Sequence, residues 1–343
     1  MPPLGDSLLQ HLRLELREPA LDYAEPPAPT SGGYDTRIFG FRLAGAPEAF
    51  SIPLILRVFD RQHPPARALS ERVVQNVVAE LGYPAPRVLL ANADATIIGG
   101  AFLVMERLPG RPLFAERRLG VASTLVATQL RLHALDADVL LEAFDRAGSP
   151  LGRELVTVEG FLARLERRIA QEKLSGLERA MRWLVEHRPA DERRRVICHG
   201  DFHPLNILMA GGRVTGVIDW ANTVVAHPAL DVASTRVILR FIPVELMDVP
   251  PVLRGVVGLA ARVLAARYVN GYRRRQRLDA TRLAYYEALA CIRALVRTAA
   301  ARLAPVGESG LNPLDASLSG ERLSAHFARI AGVTPALPPA PRA

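Results

Sequence analysis

Between Val196 and Trp220 the chain reads VICHGDFHPLNILMAGGRVTGVIDW, and two carboxylates and an amide stand out: Asp201, Asn206 five positions later, and Asp219 thirteen beyond that. Val196-Ile197-Cys198 is a short apolar run, His199 to Asn206 a polar loop containing a proline, and Ile207-Leu208-Met209 a second apolar run. Gly211-Gly212 turns the chain and Val214 to Ile218 returns it, so the pattern predicts strand, loop, strand, turn, strand. Asp201 and Asn206 then sit in the loop and Asp219 at the end of the returning strand. Oxygen donors of this kind suit a hard cation such as Mg2+, which takes few protein ligands and keeps waters and phosphates for the rest. A carboxylate not consumed by the metal can take or orient a proton from an attacking hydroxyl. These are the parts that phosphoryl transfer requires.

Two other readings compete for the same residues. His199, Asp201 and His203 spell H-x-D-x-H, a transition-metal pattern, because imidazole suits zinc or iron. That reading leaves Asn206 and Asp219 without a task. A loop Asp and Asn that only satisfy turn backbone account for one polar residue but not for three at this spacing.

The run His199-Gly200-Asp201-Phe202-His203-Pro204-Leu205-Asn206, followed by Ile218-Asp219-Trp220, resembles the catalytic and metal motifs of the aminoglycoside phosphotransferase and choline kinase-like family. Protein kinases write the same parts as H-R-D-x-x-x-x-N and D-F-G. The resemblance runs from Gly32 to beyond Asp231. It implies an α+β, bilobal protein-kinase-like fold with a small antiparallel β-rich N-lobe and a larger, mainly helical C-lobe. It also implies Asp201 as catalytic base, Asn206 and Asp219 as metal ligands, and His199 and Asp231 (in His227-Pro228-Ala229-Leu230-Asp231) as structural support for the loop.

Further site residues follow from the same likeness. Pro53 to Phe59 reads as a buried strand with one cation, Arg57, and a lone charge there needs a partner. The resemblance places Arg57 where kinases grip the nucleotide phosphates, with Glu71, on a helix expected over Leu69 to Leu81, as its partner. Arginine is permanently charged, and its fork matches phosphate or carboxylate. Gly32-Gly33, opening a hairpin, lets backbone N–H groups approach phosphates, although related kinases often carry Asn near Thr36. Ala101 to Gly110 looks like the hinge, with backbone around Met105, Glu106 and Arg107 meeting the adenine edge. His133, in Leu132-His133-Ala134-Leu135, reads as a packing residue. The expected cofactors are ATP, or GTP, and Mg2+, and the partner is a small-molecule hydroxyl acceptor. The alternatives are a nucleotide-binding pseudokinase or regulatory module without transfer, and an enzyme transferring a nucleotidyl group.

Composition narrows the rest. Of 343 residues, 49% are hydrophobic, enough for a sizeable core. From Ala221 onward there are sixteen arginines against eight acidic residues, an excess equal to the +8 of the whole chain. The arginines are spread through amphipathic helices with no nucleic-acid motif, so solvated faces and no nucleic-acid partner are expected. An anionic or neutral acceptor suits such a lobe better than a polycationic drug. Cys198 and Cys291 each sit in apolar runs without a CxxC partner, which reads as buried free thiols in a reducing compartment. The N-terminus lacks an uninterrupted apolar stretch, and Val252 to Val269 is broken by Arg254, Arg262 and Arg267, so no membrane span and a cytoplasmic location are expected. The organisation read from the chain is 1–29 as an N-terminal helix and proline-rich approach, 30–108 as the nucleotide-binding N-lobe, 109–332 as the catalytic and substrate-binding helical C-lobe, and 333–343 as a disordered tail.

Overall fold

The computed structural model describes residues 4–30, 36–60, 63–116, 120–148, 151–190, 194–241, 250–303 and 320–339. The chain divides into two compact units.

The first unit comprises Met1–Arg111, Glu142–Gly152 and Leu208–Ala221. Helix α1 (Leu4–Leu16) leads into β1 (Asp22–Pro29), β2 (Thr36–Ala44) and β3 (Leu54–Phe59); α2 (Ala66–Glu80), β4 (Val88–Asn92) and β5 (Phe102–Glu106) follow. The strands form an antiparallel sheet in the order β1-β2-β3-β5-β4. Alternation explains its two faces. Phe41, Leu54, Leu56, Val58, Phe102 and Val104 pack with Leu8 and Leu12 of α1 on one side. Phe59, Val88, Ala101 and Leu103 pack with Ala68 of α2 on the other. β3 lies mid-sheet with both faces covered, which is why it reads as a nearly unbroken apolar run.

Residues 1–29 depart from the expected approach segment: α1 is part of the core, and Asp22–Pro29 is an edge strand. Prolines are tolerated there because an edge strand has one side of its ladder unused. The β1–β2 register also slips between Glu25 and Ala28. Tyr23 ties the strand to the helix by donating its hydroxyl to the Gly5 carbonyl at 2.8 Å. A short β6 (Arg111–Pro112) later pairs with the hairpin of β8 (Ile207–Ala210) and β9 (Arg213–Val217). That hairpin returns to the first unit a hundred residues on, so the units are not the contiguous halves that a boundary at 108/109 would give.

The second unit comprises Pro112–Leu141, Arg153–Ile207 and Asn222–Ala343. Its elements are α3 (Val121–Leu132), the start of α4 (Ala137–Ala147), α5 (Val158–Gln171), α6 (Ser175–Glu186), β7 (Val196–Cys198), β10 (Val224–Ala226), α7 (Ala229–Arg240), α8 (Pro251–Arg273), α9 (Ala280–Leu303) and α10 (Gly320–Ala331). β7 and β10 pair antiparallel, Cys198 opposite Val224. α7 and α9 are the most buried helices of this unit, with Asp231, Ser234, Thr235, Glu287 and Thr298 buried among their apolar residues. Tyr268, Tyr272, Tyr285 and Tyr286 are all buried. Both cysteines are free and buried.

The stretch 333–339, expected as disordered tail, is held: Ala336 donates its N–H to the Gly176 carbonyl at 2.9 Å and Ser324 donates to the Pro335 carbonyl. Residues 340–343 lie outside the described residues. Among the described residues, no helix is long and apolar enough to cross a membrane.

Candidate active site

In the first unit the site grows from Arg57. β3 places its guanidinium on the α2 side of the sheet, 7% exposed. Each fork of the group is used: Nε donates to Thr36 Oγ1 at 3.1 Å, one terminal nitrogen to Glu71 Oε2 at 2.9 Å, and the other to Asp219 Oδ1 at 3.2 Å. The ring of Phe59 lies under it, 5.4 Å from centroid to guanidinium carbon. Glu71, on α2, also meets Arg67 one helical turn earlier, at 3.4 Å. Burial pushes the Glu71 carboxyl up, and the two arginines pull it down less strongly. A charge buried to this degree persists only when paired.

Asp219 follows β9 and takes a left-handed backbone, φ +68°. Asp tolerates this region better than most residues, and such a departure carries meaning where it occurs. The turn is fixed by its neighbours: Val217 donates its N–H to the Pro84 carbonyl at 2.6 Å, and Trp220 stacks edge-on against Tyr83. The Asp219 side chain remains 38% exposed.

At the expected hinge, the N–H groups of Glu106 and Arg107 are donated to the Arg87 and Pro53 carbonyls at 3.0 and 2.9 Å. They are therefore spent within the sheet and not free for a base. Pro53 has no N–H to return, so the Arg107 carbonyl gets no ladder bond from it. Met105 lies within β5, opposite Ile55. Gly32 and Gly33 lie outside the described residues.

The second unit carries the loop from His199 to Asn206. Asp231, fully buried near the start of α7, accepts N–H groups from His199 (2.9 Å) and Gly200 (2.8 Å). His133 at the end of α3 places Nε2 3.2 Å from Asp231, and its Nδ1 lies 2.7 Å from the Tyr272 hydroxyl on α8. Burial by itself raises the Asp231 carboxyl, but the hydrogen bond and charge of His133 and the His199 contacts hold it below its ordinary value. Cys198 also lies near His133 and Asp231, a grouping that could hold a metal. However, both nitrogens of His133 and both oxygens of Asp231 are already engaged, so the group serves as a brace.

Gly200 makes the loop possible. Its φ is +75°, and a Cβ there would lie 2.1 Å from the Asn222 carbonyl oxygen, so only glycine fits. Asp201, 17% exposed at the side chain, has Arg293 of α9 at 3.5 Å and His203 at 3.8 Å. Arg293 also donates to the Gly200 carbonyl. Asn206 donates its amide to the Asp201 carbonyl at 3.0 Å, which fixes the loop across its mouth and turns the amide oxygen to other use. Thr235 of α7 donates to the Phe202 carbonyl at 2.7 Å.

Thr36, Thr235, Tyr272 and Arg293 are absent from the sequence-based site. For Arg293 the signal existed: it is a single cation inside the apolar run Cys291 to Val296, the feature that marked Arg57. The donors read as metal ligands fit a hard cation by their chemistry. Asp219 offers a part-exposed carboxylate, and the Asn206 amide nitrogen is occupied while its oxygen is not consumed by the same bond.

Known proteins similar to this chain agree with the architecture. Over 171 residues it is 30% identical to acyl-CoA dehydrogenase family member 11 of Rattus norvegicus, a match spanning 47% of this chain and 21% of that protein. The chain thus spans about a fifth of the length of the first curated relatives it matches. The crystal structure of an aminoglycoside-3'-phosphotransferase of type VIII superposes with a TM-score of 0.56 at 26% identity, covering 83% of this chain and 98% of that one. A thermostable mutant of aminoglycoside phosphotransferase APH(4)-Ia, solved with ADP and hygromycin B, has a TM-score of 0.55 at 16% identity over 95% and 98% of the chains, a likeness of fold. The model of the phosphotransferase enzyme family matches residues 28–278, most of the chain and every described candidate site residue except Arg293, so this protein is a member of that family.

Proposed function

We propose that the chain transfers the γ-phosphoryl group of ATP, or GTP, to a hydroxyl of a small molecule. The observation that carries this reading is the three-way fork of Arg57. A buried guanidinium fixed by Glu71 and touching Asp219 is a ready counter-charge for a triphosphate. Catalysis would then rest on positioning and charge neutralisation. Asp201 accepts the proton of the acceptor hydroxyl, in a loop whose backbone is pinned by Asp231. Asn206 and Asp219 supply hard oxygen ligands for Mg2+, with Gly32-Gly33 backbone near the phosphates and the Met105–Arg107 carbonyls near the base. When bound, Mg2+ neutralises charge on the β- and γ-phosphates.

The acceptor is inferred from charge and kinship. The last third of the chain carries sixteen arginines against eight acidic residues, which opposes a polycationic aminoglycoside and favours an anion. Several curated relatives are named acyl-CoA dehydrogenase family members. A CoA thioester with a hydroxyl on its acyl chain meets both conditions, and we place it ahead of an aminoglycoside.

The test is direct. The protein is incubated with labelled Mg-ATP and either a hydroxyacyl-CoA or an aminoglycoside, and products are read by mass spectrometry for an added phosphate and for ADP. Wild type should phosphorylate an acceptor, and Asp201→Asn should lower turnover by about 10²–10⁴-fold with nucleotide affinity nearly intact. Wild-type turnover in Asp201→Asn removes the base assignment. Nucleotide binding without transfer to any acceptor favours a pseudokinase, and release of pyrophosphate favours nucleotidyl transfer.

A further inference from the structure

At the far end of α7 from the catalytic loop the second unit holds a cleft of about 420 Å³, lined by Arg240, Phe241, Arg262, Arg322, Ala325 and Arg329. Arg240 is nine residues beyond Asp231, so the cleft lies roughly 13 Å along the helix from the loop's brace. Four guanidiniums surround it, and among the described residues that line it there is no carboxylate. Two of the described acids of these helices are paired elsewhere: Glu287 with Arg236 and His326, and Glu321 with Arg302. Among the described residues, Arg240, Arg262 and Arg322 form no ion pair at bonding distance, and Glu287 acts on Arg240 only through space.

The cations are also ordered. The guanidiniums of Arg240 and Arg322 both lie over the buried Phe241 ring, at 5.7 and 5.8 Å from its centroid. A shared aromatic pedestal sets the direction of each fork before a ligand arrives. Burial and the like charges of Arg236, Arg329 and Arg262 lower the Arg240 proton affinity, and Glu287 opposes them less strongly. The cleft's size falls in the range of small-molecule sites, roughly 300–1,000 Å³.

We propose that this cleft is a second anion site, separate from the nucleotide site, which takes a phosphoryl group bearing at least two negative charges. Planar forks match phosphate oxygens in pairs, whereas a single carboxylate would leave most of the donors unused. The phosphoryl group belongs either to a soluble phosphorylated metabolite or to a lipid headgroup. The exposed Leu259 and Val263, beside Arg262 on α8, make the second source worth an arm of the test.

The experiment titrates pyrophosphate into the full chain by calorimetry in Mg-free, phosphate-free buffer, and compares wild type with Arg240→Gln/Arg322→Gln. Two lost charge-assisted contacts should weaken binding by about a hundredfold, tenfold each. Arg262→Gln, on an exposed side chain, should weaken it by about tenfold and serves if the double variant fails to fold. Co-sedimentation with vesicles of phosphatidylcholine, with and without phosphatidic acid, separates the sources. Pyrophosphate binding without pelleting assigns a soluble ligand. Pelleting that needs phosphatidic acid and is lost in the double variant assigns a headgroup. Wild-type affinity in both variants, or no binding of either probe by wild type, overturns the proposal.

Discussion

Arg57 is the residue at which stability and proposed function can be pulled apart. Its partner Glu71 is 2% exposed, so Arg57→Ala strands a buried carboxylate and should cost ~3–5 kcal/mol of folding free energy. Arg57→Lys keeps the charge but offers one point where the fork serves Thr36, Glu71 and Asp219 together. It should cost less, about 1–2 kcal/mol, while still weakening nucleotide binding. The sharper variant is Arg57→Met with Glu71→Leu, because replacing a buried ion pair with apolar groups of similar volume is often neutral. Denaturation midpoints near wild type, together with lost Mg-nucleotide binding, are the expected result. Full nucleotide affinity in that double variant would show the pair to be structural only. Arg57 was legible in the sequence because a cation inside an apolar strand demands an explanation. Thr36 was not, since a hydroxyl on a strand is ordinary until the fold brings it to Arg57 across the β2–β3 ladder.

At the scale of elements, α7 does most of the bracing, and its N-terminus is pH-sensitive. His227 accepts the Ala229 N–H on Nδ1 at 3.2 Å, which it can do only when that nitrogen is unprotonated. Burial, with Arg282 and Arg194 nearby, lowers its pKa to about 4; Asp279 opposes this and His133 adds to it. The unfolded value is about 6.5, so the unfolded chain takes up the proton first as pH falls. Stability from this group is complete above about 6.5 and is lost progressively as pH drops towards 4. Discounted for partial exposure, the loss is on the order of 1–2 kcal/mol. Urea midpoints at neutral pH and in the middle of that window should therefore separate more for wild type than for His227→Gln, which titrates no proton; equal separations would remove His227 from the acid response. β10 was not legible in the sequence, because a three-residue strand such as Val224–Ala226 carries no period and gains its identity only by pairing with β7.

For the whole molecule, the path of the chain decides what can be separated. A reading from composition places a boundary after the hinge, since patterns are local and cannot report a return. The first unit nevertheless includes Leu208–Ala221. That segment brings the Val217–Pro84 hydrogen bond, the Trp220–Tyr83 ring contact and the Asp219–Arg57 pair. Gly110, at φ +122°, admits it closely, as a Cβ there would meet the Met209 carbonyl oxygen at 2.6 Å. A fragment ending at Arg111 lacks all of these partners. It should leave Tyr83 uncovered and Arg57 short of one ligand, and unfold at lower urea or without a cooperative transition. Within the full chain, Trp220→Ala removes a side chain that is 1% exposed and should cost ~3–5 kcal/mol. A cooperative fragment with the full chain's midpoint, together with a Trp220→Ala variant of unchanged stability, would mean that the returning hairpin is dispensable to the first unit. A stable full chain whose fragment melts means instead that the first unit is completed by Leu208–Ala221, and that a truncation at the hinge costs the fold around Arg57 as well as the catalytic residues.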